Sequence, residues 1–326
     1  MASTSGSTLD SPPLGKYLAS TGTSLADKRT RDKAIKSLST FLSNSDHAEI
    51  SQKDMSKLWK GIFYCFWMSD KPLVQQALAT ELAELLLSIE PTTSSLDFLE
   101  GFWECLVREW SGIDRLRIDK YYMLIRRYVN ASFRLLKKEN WNVKFCQRYN
   151  DILTRQGGPL CPTDNRVPPS LAYHLCDIYL EELNKIIENA EEESSLPAPL
   201  TTLVSPFITL AARTPSNHTF GRVRSTVMDP LFDALVPPRD ETPPSQKKRR
   251  LLDVGLSRLA VNSCLSFPET EGPMDVTRLR KGLLKSMFAI ASDSETRDSN
   301  RRKLYGFWRQ YAEEDDDDSD RPIDAS

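Results

Sequence analysis

Basic side chains recur at helical spacing along one stretch of this chain. At 100° per residue, Lys120, Arg127, Arg134 and Lys138 fall close to one line, and Arg115, Arg126 and Lys137 form a second line beside it. With Arg117, the stretch from Ile113 to Lys138 holds eight basic residues against two acidic ones, Asp114 and Asp119. Ile118, Tyr121, Ile125, Tyr128, Val129 and Leu136 stack on the other side, so one rigid helix is expected to carry a cationic ridge. The chemistry open to such a ridge is ionic contact with a polyanion. Structured RNA, recognised through phosphates and shape, suits it better than a small ligand does. Lys57 and Lys60, on the polar edge of a preceding helix, extend the basic set. Two other readings stay open: a merely solvated face, or Arg115, Arg117, Arg126 and Arg127 held in salt bridges to Glu104, Glu109 or Asp119.

Reactive constellations are scarce. The sequence has no G-x-x-x-x-G-K-[ST], no G-x-G-x-x-G after a strand, no H-E-x-x-H and no G-x-S-x-G. Of three histidines, His47 and His218 fall in expected surface loops. His174 stands three residues before Asp177 on one helical turn, without a third ligand, so a structural hydrogen bond is expected there rather than a metal or acid–base site. No catalytic residue, metal or cofactor is expected, and the chain is read as acting by binding.

Aromatic residues supply a second kind of surface. In and just before KLWKGIFYCFWMSDKP, Lys57 to Pro72, the residues Met55, Leu58, Trp59, Ile62 and Phe66 make one apolar stripe, while Tyr64, Trp67 and Met68 fall outside it. Trp59 is expected in the core. Tyr64 and Trp67 are either core or anchors for a protein partner.

Three segments carry a family resemblance: KLWKGIFYCFWMSDKP, then FWECLVREWSGIDRLRIDKYYMLIRR, then the run HLCDIYLEEL that begins at His174. In order and spacing, from about Tyr17 to Leu235, they resemble the eukaryotic nucleolar ribosomal RNA-processing protein 1 family, also called the Nop52 family. The resemblance implies a non-enzymatic assembly factor of the large (60S) ribosomal subunit, a scaffold required for processing its precursor RNA. It implies pre-60S particles, large-subunit precursor rRNA and other nucleolar assembly factors as partners, and a nuclear, nucleolar location. The alternative is a protein-only helical adaptor, HEAT-like or VHS-like, in which the basic helix meets acidic proteins or anionic lipid.

The formal net charge of −2 argues at first against a nucleic-acid partner. Seven acidic residues between Glu313 and Asp320 account for it, and the remainder carries an excess of five positive charges. Six cysteines without a C-x-x-C pair are expected to be buried, reduced thiols, as in a cytosolic or nuclear compartment. The N-terminus lacks a basic region leading into an apolar run, and no stretch approaches 18 apolar residues, so a soluble intracellular chain without a membrane partner is expected.

The elements that must position these residues are helices. Valine-rich alternation is scarce and helical periodicity recurs, so the class is all-α, an array of antiparallel helix pairs of the HEAT/armadillo α-solenoid type. Helices are expected over 25–42, 53–68, 73–89, from Ser94 or Ser95 onward, 113–138, through Leu153, 170–189, 200–212 and 217–235. Ser111 with Asp114 resembles a capping box before the basic helix. Residues 1–13 are expected to be disordered, 14–235 to form the helical family domain and 236–250 to be a proline-rich linker. The linker ends in Lys247, Lys248, Arg249 and Arg250, a nuclear import signal for an import receptor or else an RNA-contacting or solvated tract. Residues 251–311 form a short helical C-terminal region, with helices near 275–291 and 294–311, and 312–326 an acidic, disordered tail.

Overall fold

The computed structural model describes residues 36–43, 50–187, 196–236 and 255–317, with side chains described as far as Ala312. The fold is all-α, a solenoid-like helical array. In chain order the helices are α1 (36–42), α2 (Gln52–Trp67), α3 (Pro72–Ser88), α4 (Thr92–Glu109), α5 (Ile118–Lys138), α6 (Val143–Thr154), α7 (Pro169–Ile186), α8 (Leu200–Arg213), α9 (Asn217–Val223), α10 (Asp229–Ala234), α11 (Ser257–Val261), α12 (Pro268–Glu271), α13 (Val276–Ser292) and α14 (Asp298–Asp317). A π-helical turn, Arg224–Met228, joins α9 to α10. Strand β1 (Ala198–Pro199) pairs in parallel with β2 (Ser263–Cys264).

The chain divides into two compact units. The first comprises residues up to Cys105 together with Asp114–Leu124; the second comprises Leu106–Ile113 and everything from Ile125 onward. In the first unit Trp59 is fully packed, as its place on the apolar stripe predicts. Its indole Nε1–H donates to Phe98 O at 2.9 Å and its ring lies 4.5 Å from the Phe98 ring. Gly101 allows this approach, because a Cβ there would collide with the Trp59 ring and Met55. Tyr121 stacks on Phe63 at 4.9 Å and donates its hydroxyl to Phe63 O.

The second unit is centred on Phe133, Tyr149, Tyr179 and Phe207, rings 4.6–6.0 Å apart from neighbour to neighbour. Tyr179 donates to Leu203 O at 2.8 Å, so this buried phenol is satisfied. Helices α13 and α14 pack on each other and on α8. Asn300 donates to Ala212 O and Thr214 O, closing the C-terminal end of α8. The chain re-enters this unit at Gly255, where Asn184 donates to Gly255 O and accepts from Leu259 N.

Several boundaries depart from expectation. Ser111 does not cap the basic helix: Trp110–Gly112 is a 3-10 turn, and Asp114 Oδ1 accepts from Leu116 N and Arg117 N, so the helix begins at Ile118. Pro72 itself opens α3, one residue before the expected start at 73, and the helix has no side-chain cap. The last helix runs to Asp317, beyond Tyr311 and into the segment expected to be disordered. The first 11 residues of the expected 25–42 helix, His47, and Lys247, Lys248, Arg249 and Arg250 lie outside the described residues.

Candidate functional site

Within the first unit the basic residues meet three different fates. Lys57 and Lys60 are exposed on α2, and Lys57 pairs with Asp54 one turn back at 3.0 Å. Arg115 is exposed, in the turn before α5. Arg117 is tied to Asp114 and lies 5.1 Å over the Trp67 ring. Lys120, expected on the ridge, is instead buried at 7% exposure, and this corrects the reading. Its Nζ donates to Trp67 O at 2.7 Å and Ser69 O at 2.9 Å. These carbonyls end α2, where the backbone has no intrahelical donor left, so the ammonium acts as the C-terminal cap of a helix 53 residues away in sequence. Burial pushes the Lys120 pKa down, and the nearby Asp70 carboxylate opposes that shift.

On the part of α5 that belongs to the second unit, Arg126 also turns inward. It binds Glu182 at 2.8 Å and Glu181 at 2.9 Å. Glu182 is buried and is satisfied by three donors, accepting also from Asn130 at 2.9 Å and Lys185 at 2.9 Å. The salt bridges therefore exist, but to Glu181 and Glu182 rather than Glu104, Glu109 or Asp119. Lys137 is half-buried and donates to Ile186 O at 3.3 Å. Arg127 is half-buried, with its Nε enclosed and without a hydrogen-bond partner among the described residues. Arg134 and Lys138 are exposed. Arg127, Arg134 and Lys138 thus keep one flank of the helix, while Lys120, Arg117 and Arg126 leave the set for internal work.

The aromatic surface divides as well. Tyr64 is 47% exposed, whereas Trp67 is half-buried against Phe63 and Tyr121. Met68 and Leu73 are exposed beside them in sequence, and Leu116, next to Arg117, is 92% exposed. Leu73 and Leu116 escaped the sequence reading because each lies at a helix entrance, where periodicity assigns no face.

Asp177 takes a salt bridge from Arg222, so His174 and Asp177 do not form an isolated pair. Among the described residues no group of three His, Cys, Asp or Glu side chains stands ready to hold a metal ion. Five cysteines are buried and Cys65 is half-buried; all are thiols outside any disulfide, and burial pushes Cys65 up to about 11 and Cys146 up to about 12. No described helix is long and apolar enough to cross a membrane.

Comparison with known proteins gives a consistent answer. A sequence model described as "Nucleolar protein, Nop52" matches residues 9–306, well beyond Leu235, where the recognisable segments end. The chain is 32% identical over 276 residues to a human protein named ribosomal RNA processing protein 1 homolog B, covering 84% of this chain and 34% of that one. The mouse protein of the same name is 36% identical over 214 residues, 65% of this chain and 28% of its own. A Dictyostelium discoideum protein named ribosomal RNA processing protein 1 homolog is 28% identical over 298 residues, 87% of this chain and 55% of its own. The chain therefore spans between about a quarter and about half of the length of these relatives.

Proposed function

This chain belongs to the Nop52 family of nucleolar proteins, and from that membership we propose that it serves ribosomal RNA processing as a non-enzymatic scaffold of large-subunit (60S) precursor particles. The observation that carries the proposal is the match across residues 9–306, joined to relatives named for ribosomal RNA processing. In this reading the protein acts in the nucleolus by holding precursor rRNA and companion assembly factors in a shape that processing enzymes accept. The family is named for the nucleolus and the relatives for ribosomal RNA processing, neither for a catalytic activity.

RNA contact falls to Arg127, Arg134 and Lys138 on α5, helped by Lys137, and to Lys57, Lys60 and Arg115 in the first unit. Of these, Lys57, Lys60, Arg115, Arg134 and Lys138 are exposed and Arg127 and Lys137 half-buried, and phosphates are met by such guanidinium and ammonium groups without a deep pocket. Protein contact falls to Tyr64 and the rim of Trp67, with Met68 and Leu73 extending the apolar patch. Lys247, Lys248, Arg249 and Arg250 serve import through a nuclear import receptor.

The test is crosslinking of the protein to RNA in cells, comparing wild type with Arg127→Glu, Arg134→Glu and Lys138→Glu combined. Lys120 is left intact because its ammonium closes α2. Crosslinks concentrated in large-subunit precursor RNA and lost in the folded variant are the expected result. Cofractionation with particles that resists ribonuclease, with no ribosomal RNA crosslinked, would replace this reading by the protein-only adaptor, which the inward-turned Arg117, Lys120 and Arg126 favour.

A further inference from the structure

The helix pair α13–α14 has exposed chemistry that the reading above does not use. Along α13, Lys281, Lys285 and Phe288 follow at intervals of four and three residues, all exposed, so two cations and a ring share one outward stripe. Phe288 is 44% exposed, and its ring lies 5.2 Å from Tyr305 and 5.5 Å from Trp308 on α14. Tyr305 is held in place by the 3.1 Å contact of its hydroxyl with Ser292 Oγ. Arg302 and Arg309, three residues before and four after Tyr305 on α14, are exposed.

This cluster lies outside the hydrophobic core of the pair. The core of α13 and α14 is made by Leu283, Leu284, Met287, Leu304 and Phe307, all buried. Nor are all basic residues here alike. Arg280 is buried and donates to Tyr311 O at 3.1 Å, and Arg301 caps the end of α13 through Ala291 O and Asp293 O. Those two are structural, whereas Lys281, Lys285, Arg302 and Arg309 face solvent around the rings. Half-exposed rings bordered by cations are the two components of a single-strand platform: every base has a π face to stack, and every nucleotide has a phosphate to neutralise.

We propose that α13 and α14 form a binding site for single-stranded RNA, in which bases stack on Phe288 and Trp308 while Lys281, Lys285 and Arg309 follow the phosphates. The strand is kept off the far end of α14, where the helix continues into the acidic sequence Glu313–Asp317. The site does not depend on the α5 cations, which are assigned to structured RNA, and the two assignments fail separately.

The experiment measures binding of the full chain to a labelled single-stranded RNA of about 12 nucleotides and to a duplex of the same sequence, by fluorescence anisotropy. Phe288→Leu keeps apolar cover over Tyr305 and Trp308 but removes a stacking face. It is expected to leave the melting temperature unchanged and to weaken single-strand binding about tenfold while sparing the duplex. Lys281→Gln with Lys285→Gln, at two exposed positions, is expected to flatten the slope of log Kd against log salt by about 1.4 for the single strand. The combined α5 variant is expected to bind the single strand like wild type. Single-strand affinity unchanged in both the Phe288→Leu and the double glutamine variant overturns the proposal. Should Phe288→Leu fail to fold, the glutamine pair decides alone. Recovery only of peptides from a photocrosslinker placed at position 288 in particles would make this face a protein contact instead.

Discussion

At the scale of single residues, equal charges do unequal work. Lys120 and Arg127 sit on one line of α5, yet Lys120 Nζ is consumed by two carbonyls at the end of α2. We expect Lys120→Met, which preserves the apolar stem and removes the ammonium, to cost about 2–3 kcal/mol by leaving those carbonyls without a charged donor. A thermal or urea melt coincident with wild type would show that the cap contributes nothing. The sequence does contain a hint. Lys120 lies four residues before the buried Leu124 and eight before the buried Tyr128, at the edge of the apolar stripe, whereas Arg134 lies clear of it. Glu182 is the mirror case: it shares a face with Ile178, Tyr179 and Ile186, so a carboxylate there must find cations. Lys185, one turn on, is a local partner, whereas Arg126 from α5 reaches Glu182 only through packing across 56 residues, which no local pattern encodes.

At the scale of elements, the helices were legible and their ends less so. Periodicity places Trp59, Ile62 and Phe66 in the core, because a helix repeats its face every 3.6 residues. The start of α5 was misplaced because Ser111 and Asp114 fit a capping-box spacing, while the chain uses Asp114 alone to turn and gives Trp110 to the core with its indole N–H on Ser170 Oγ. The π turn at Arg224–Met228 has no sequence signature comparable to a cap or a proline, so 217–235 reads as one uniform helix. Trp67 is the element that tests the aromatic surface. Half-buried against Phe63 and Tyr121 and covered by Arg117, it should lose about 2 kcal/mol as Trp67→Ala, less than a fully enclosed indole would. Tyr64→Ala should leave the melt unchanged and weaken particle association. A Trp67→Ala melt within a degree of wild type would make the indole purely a partner contact, and equal losses of stability for both variants would remove the patch from consideration as an interface.

At the scale of the whole chain, residues 255–317 join the second unit through side chains the sequence does not flag. Asn300 closes α8, Asn184 grips the backbone at Gly255 and Leu259, and the β1–β2 pair joins Ala198–Pro199 to Ser263–Cys264. Asn184 and Asn300 are polar, so hydrophobic patterning does not flag them and leaves this region looking separate after Leu235. The parallel pair has one more implication, which concerns length rather than contact. Leu235 and Leu256 are both buried, so the two ends of the intervening segment are fixed by packing on either side of it. The entropy of closing a flexible segment grows only with the logarithm of its length, so a doubling costs about 0.6 kcal/mol if residues 237–254 add no packing of their own. Inserting about twenty Gly and Ser residues between Pro243 and Pro244 should therefore shift the melt by no more than about 2–4 °C, and a larger loss would mean that the segment itself contributes to stability. With the smaller shift, this stretch is the natural address for a fluorescent reporter or a purification handle.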